Sequence, residues 1–466
     1  MRIFIIICLF CISIFAKKDF YFSFINSNGD QISQQTKHEI RDGFEVIRHV
    51  RQLAKDGRIS DAYAQIKAFK EKNTVNVLTS DIIIAYSEMS LKKGSKRFIN
   101  EAMIELENAI NSSIIHESDL PKAYMMLVEL KLASNKVNQA RYFATTIDEN
   151  FNHKITNAFG KIYLAKVHNH SREFDKATKI LYEVLTKTTD IEVATIVADE
   201  LFDVYISNRQ KEKAYDLISK VLVKNMEFYA NDSYLAIQKV NKLLKAQMPE
   251  FAVEILLELL NKAKKDDAIE DFKYQLANIY MTMYDRTNYY LFKAKELYKD
   301  ILNDYPNGEY VNKSKKFLDE ILMREGKLDP SVIAAKYKDS SSMKQKVLMQ
   351  ELINQMREGN LSQILKAKKI YDKISNTIAQ RFGYFDLNEA FDEVHILLIR
   401  QYLDEGQCML LNKALHDARK QTLVGLILDE ETKYKFFECL IEVPYNRGYT
   451  LAKDAFYKSR DAQIYL

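Results

Sequence analysis

The residues best suited to chemistry in this chain are its 8 histidines and 4 cysteines, together with the carboxylates that could act as acids, bases or metal ligands. His168 and His170 come nearest to a ligand pair, since two imidazoles so close in sequence could share a zinc ion. His168, however, falls where the helical pattern calls for a large packing side chain, so the structural reading is preferred and no metal is expected. No HExxH, paired CxxC, GxSxG, Walker lysine loop or GxGxxG occurs. Cys408 and Cys439 are 31 residues apart, which suits a disulfide between neighbouring helical hairpins and equally suits two buried thiols. No catalytic residue, cofactor or small-molecule substrate is expected, and the chemistry left is recognition.

Composition points to the elements that would carry such recognition. Only 12 of the 466 residues are glycine and 5 are proline, well below the roughly 7% and 5% of average usage. Phosphate-binding loops and turn-dense β-sandwiches need more punctuation than that, and a mostly helical protein does not. Residues 1–16 run from Met1-Arg2 through an apolar stretch, Ile3 to Phe15, to Ala16. They are expected to be a signal peptide cut after Ala16, which places the mature chain in the periplasm; an uncleaved anchor is the alternative. At 13 residues the apolar stretch is shorter than the ~20 that span a bilayer. Cleavage would remove Cys8 and Cys11 and leave 67 basic against 64 acidic residues, a net charge of +3. The charges are interspersed, so no nucleic-acid partner is expected, and membrane association would come only through partners.

Residues 17–35 alternate apolar and polar around Asn28-Gly29-Asp30 and are expected to form a short β-hairpin. From residue 36 to 330 the period becomes helical, and one small residue recurs in a fixed setting: Ala62, Ala102, Ala140, Ala177, Ala214, Ala252 and Ala294. Intervals of 40, 38, 37, 37, 38 and 42 residues indicate about seven helix-turn-helix units, two of them lengthened near Gly94–Phe98 and Asp285–Tyr290. Each hairpin has an apolar face too narrow to close a core alone, and stacking buries it. Residues 331–466 are expected to be divergent helical repeats beyond a linker at Tyr337–Lys346, either a continuation or a second lobe. The expected helices there cover 344–357, 361–374, 389–403, 407–424, 432–441 and 448 to the end, with Ala367, Ala414 and Ala452 as repeat alanines.

The layout resembles the tetratricopeptide repeat, carried by Leu164, Ala165, His168, Ala177 and Leu181, and again by Leu276, Ala277, Tyr280, Ala294, Tyr298 and Pro306. The resemblance implies an all-α solenoid (a TPR-like superhelix), a non-enzymatic scaffold binding protein partners. In that repeat the first helix of each pair lines a concave groove, which places Lys122, Met125, Glu129, Phe159, Ile162, Lys166, Ile196, Asp199 and Asp203 on the inner face. The exported, Lys/Asn/Ile/Tyr-rich chain also looks like the periplasmic repeat proteins that build collars or discs around flagellar motors in spirochaetes and Campylobacter-like bacteria. That likeness implies motor or stator partners and a role in motility. The unit LFKAKELYKDILNDYP looks equally like repeats of adaptors in outer-membrane or cell-wall assembly. A third resemblance, of Val347-Leu348-Met349-Gln350 to a motif of superhelical peptidoglycan-cleaving enzymes, lacks the upstream glutamate that would protonate the glycosidic bond.

Overall fold

The computed structural model describes residues 33–73, 76–151, 153–263, 268–419, 422, 435, 436, 438 and 439. The expected signal peptide and all but the end of the expected hairpin lie outside the described residues. At that end the reading is corrected: Gln34 and Gln35 open a helix, because the Ser33 hydroxyl accepts the Thr36 N–H at 3.1 Å and caps it.

The chain divides into two compact units, one ending at Ile255 and one starting at Leu256. The first holds α1 (Gln34–Lys55), α2 (Ile59–Lys72), α3 (Thr79–Lys93), α4 (Lys96–Asn111), α5 (Leu120–Ala133), α6 (Val137–Asn150), α7 (Lys154–His170) and α8 (Phe174–Lys187). It continues through α9 (Ile191–Ser207), α10 (Lys211–Ala230), α11 (Ser233–Lys245) and the start of α12 (Pro249–Lys262). Odd and even helices pair as hairpins, and the first helices α1, α3, α5, α7 and α9 lie side by side in a row. α11 packs on α1, and its Tyr234 ring centre lies 4.2 Å from the ammonium of Lys92, near the end of α3.

The turns explain the spacing. A left-handed residue closes each hairpin: Gly57, Asn135, Arg172, Arg209 and Gln247 have φ between 58° and 82°. Around it the next N–H reaches back to the end of the first helix, as in Glu173 to the His168 carbonyl at 2.8 Å and Gln210 to that of Tyr205 at 2.8 Å. The repeat alanine follows five residues later, and all seven alanines are fully buried. A small residue there lets paired helices approach closely, and the larger apolar groups around it, such as Leu181 and Val184, contribute roughly 1.5–3 kcal/mol each on burial. In the two long units the left-handed residues are Gly94 and Arg286, eight residues before Ala102 and Ala294. The extra length is thus about one helical turn in α4, which begins at Lys96, and in the second case a turn in α14, which begins at Asn288, together with a longer loop after Thr282.

The second unit continues with α13 (Ile269–Thr282), α14 (Asn288–Asp304), α15 (Val311–Arg324), α16 (Pro330–Lys336) and α17 (Ser341–Arg357). Then come α18 (Leu361–Lys366), α19 (Lys368–Tyr371), α20 (Asn376–Arg381), α21 (Leu387–Asp404) and α22 (Cys408–Asp417). The linker is shorter than expected, because the Ser340 hydroxyl accepts the Met343 N–H and starts α17 at Ser341. The helix expected over 361–374 is broken at half-buried Ala367, while Ala414 is buried in α22. α20 was not legible in the sequence. Ala452 and the helix expected from 448 lie outside the described residues, as does most of 432–441.

Candidate functional site

The nine residues expected on the inner face occupy three adjacent first helices: Lys122, Met125 and Glu129 on α5, Phe159, Ile162 and Lys166 on α7, and Ile196, Asp199 and Asp203 on α9. Their charged members are tied to one another and to residues the sequence did not point out. Lys166 Nζ lies 2.6 Å from Glu129 Oε1 and 3.2 Å from Glu200 Oε1, so one ammonium on α7 bridges α5 and α9. Asp203 pairs with Lys242 of α11 at 2.5 Å. Asp199 accepts the Tyr229 hydroxyl at 2.5 Å and has Lys239 Nζ at 2.8 Å. The Lys239 ammonium makes no aligned hydrogen bond and lies 3.8 Å from the centre of the Phe202 ring, so its contacts are electrostatic.

Together these pairs form a polar seam crossing α5, α7, α9 and α11. Burial alone would push the Lys166 ammonium down, but Glu200 and Glu129 outweigh it and hold the group well above the ordinary lysine range. Burial raises Glu200, and Lys166 offsets that only in part. Burial also raises the Tyr229 hydroxyl, and the neighbouring Asp199 adds to the effect. The apolar members differ among themselves. Ile162 is 2% exposed and belongs to the core, Met125 packs against the cluster around Val128 and Ala144, and Phe159 and Ile196 are half-buried. Lys122 is exposed. Glu200, Tyr229, Lys239 and Lys242 were missed because their role depends on which helix lies beside α9; the spacing of Asp199/Asp203 and Lys239/Lys242 was the available clue.

The other singled-out residues fall into structural settings. His168 is buried, with Nδ1 2.5 Å from Glu173 Oε2, whereas His170 turns to the surface and meets Asn135 Oδ1 at 3.1 Å. Lys176, His168 and Arg141 all donate to Glu173 and hold its carboxyl at about 2. Among the described residues no group of three or more His, Cys, Asp or Glu side chains could hold a metal. Val347, Met349 and Gln350 are buried within α17, packed as helix core. The sulfurs of Cys408 and Cys439 are bonded, with Cα atoms 4.8 Å apart.

Sequential hairpins, a row of first helices, a buried small residue early in each second helix and a left-handed turn residue between them define an all-α, TPR-like helix-turn-helix solenoid. No protein-family model matches the sequence, and no curated protein is significantly similar to it. Among solved structures, the chain is similar to the apo form of the quorum sensor NprR from B. thuringiensis, at 10% identity over 87% of this chain and 98% of that one, TM-score 0.30. It is also similar to the P58(IPK) TPR domain, at 12% identity over 81% and 95%, TM-score 0.27. A circular tandem repeat protein matches at 14% identity over 91% and 98%, TM-score 0.13. With scores this low, the class rests on the helices of this chain.

Proposed function

We propose that the protein is a non-enzymatic scaffold or adaptor that binds other proteins in a bacterial envelope, most specifically as a structural part of the periplasmic flagellar motor. The observation that carries the scaffold reading is a surface one. Four successive second helices, α4, α6, α8 and α10, each present an exposed large apolar side chain: Ile104, Tyr142, Tyr182 and Tyr215. Tyr142 is 66% exposed, and Val223 on α10 reaches 88%. Aromatic and aliphatic groups of this kind are enriched where proteins meet. The charges of the seam, by contrast, are paired with one another, which leaves the exposed apolar groups of the second helices as the contacts on offer. The Cys408–Cys439 bond agrees with an oxidising compartment, where such bonds persist.

The test is in-cell crosslinking of the mature protein in an envelope fraction, with partners identified by mass spectrometry, alongside a swimming assay of a deletion strain. Recovery of motor or stator components and loss of swimming are expected. Normal swimming would sink the motor assignment. Tyr142→Ser combined with Val223→Ser should weaken partner recovery while leaving the helical content unchanged.

A further inference from the structure

Within the second unit a cavity of about 340 Å³ is walled by the rings of Tyr284, Phe382 and Tyr384 and by three guanidinium groups, Arg286, Arg324 and Arg357. Its size falls in the range of about 300–1,000 Å³ usual for small-molecule sites. Two of the cations are locked in place. Arg324 is almost fully buried: Nη1 donates to the Arg381 carbonyl at 2.8 Å, Nη2 to Glu320 at 2.5 Å, and its plane lies 3.8 Å from the Phe382 ring centre. Its Nε is buried with no hydrogen-bond partner, a cost that native interiors rarely leave standing. Arg286 lies 3.7 Å from the Tyr384 ring centre and donates to the Gly383 carbonyl at 3.2 Å and to Glu393 at 2.9 Å. Arg357, exposed at the end of α17, has no ion pair among the described residues.

Charge around the cavity is out of balance. Glu393 is the one carboxylate in its wall. Behind Arg324, Glu320 is shared between Arg324 and Lys346. Burial, with the positive charges of Arg381 and Arg324, holds the Lys346 ammonium below the ordinary lysine range despite the pull of Glu320. Excess positive charge in a partly enclosed, ring-lined space favours an anion. Guanidinium forks match a carboxylate, Glu393 disfavours a dianion, and the apolar side chains of Ile353, Met356 and Leu397 suit a hydrocarbon body rather than a bare ion.

We propose that this cavity binds a small monocarboxylate with a flat aromatic body, its carboxylate held by Arg357 and Arg324 and its ring flanked by Tyr284, Phe382 and Tyr384. The site is independent of the scaffold reading, so either can fail without the other.

Isothermal titration of the full mature chain tests it with three probes: phenylacetate, its neutral counterpart 2-phenylethanol, and inorganic phosphate. Phenylacetate should bind, and the other two should bind at least about tenfold more weakly. Arg357→Gln, a surface change expected to leave the fold intact, should weaken phenylacetate by about tenfold or more. Tyr284→Leu should weaken it too, through loss of the aromatic wall, and keeps the proposal testable should Arg357→Gln misfold. The proposal is overturned if phenylacetate does not bind, if either comparison probe binds as tightly, or if both variants keep the parent affinity.

Discussion

Replacing Gly160 by alanine sets two effects of opposite sign against each other. Alanine is the better helix former by about 1 kcal/mol, which alone would stabilise α7. A Cβ at this position, however, would lie 2.7 Å from the Asp148 nitrogen, 2.9 Å from its Cα and 3.1 Å from the Ile147 carbonyl carbon. The nearest of these is roughly 0.7 Å inside ordinary contact. All three are backbone atoms of α6, so no rotamer change can relieve the clash, and α7 must shift as a body. Overpacking of this kind costs about 1–3 kcal/mol. The shift would also strain Lys166, on the same helix, against Glu129 and Glu200. The net expectation is a loss of up to about 2 kcal/mol, read as a fall in the urea midpoint by circular dichroism with the slope unchanged. Gly43→Ala is a parallel case: its added Cβ would meet the side chains of Leu78 and Phe69, and Leu78 is fully buried in the core, so it too should destabilise the chain. A Gly160→Ala protein as stable as the parent would refute the close approach of α6 and α7.

Arg209→Gly should stabilise the chain by about 0.5–1 kcal/mol, because φ of 59° strains a residue with a Cβ more than it strains glycine; a lower thermal midpoint would contradict the turn geometry. Lys166→Met leaves Glu129 and Glu200 without their shared cation and should cost about 1–3 kcal/mol in urea titrations, much of it restored by adding Glu200→Gln; a costless single change would show that the seam does not hold α5, α7 and α9 together. Glu173 and Glu183 titrate at about 2 in the folded chain against an ordinary 4.5. Their contribution is complete above about 4.5 and lost as the pH falls toward 2. Stability of the Glu173→Gln, Glu183→Gln double variant should therefore fall less steeply than the parent's across that window. For Cys408 and Cys439, thiol labelling of the unfolded chain produced from Lys17 onward should find both sulfurs reactive only after reduction, and breaking a bond across 31 residues should cost roughly 3–4 kcal/mol.

Much of the fold was legible because a repeat states its rule several times. Ala177 and Ala214 each follow a polar turn and precede apolar residues at helical spacing, and only a helix buries all of them on one face. The turn itself was less legible. Glycine would have marked a left-handed residue, but Asn135, Arg172, Arg209 and Gln247 fill that conformation here, and of these only Asn is a residue type that favours it. The lengthening near Gly94–Phe98 and Asp285–Tyr290 was legible from the intervals, but whether the extra residues sit in helix or loop was not, because spacing between alanines counts both alike. In the C-terminal third, the break at Ala367 and the separate helix α20 depend on packing against α17 and α21 rather than on local propensity.

The candidate site divides along the same line. The sequence by itself determined that Glu129, Lys166, Asp199 and Asp203 share the face of their hairpins' first helices, because a helical period assigns faces without knowledge of neighbours. Only the tertiary structure decided that these charges pair with each other, with Glu200 and with Lys239 and Lys242, since an ion pair needs an approach of a few ångströms between helices some 35 residues apart in the chain. It likewise decided that Ile162 is core, that Gly160 admits α6, and that Arg286, Arg324 and Arg357 converge on one cavity. Periodicity fixes direction around a helix axis; the distance to the next helix is set by the side chains of both, and no single segment contains that information.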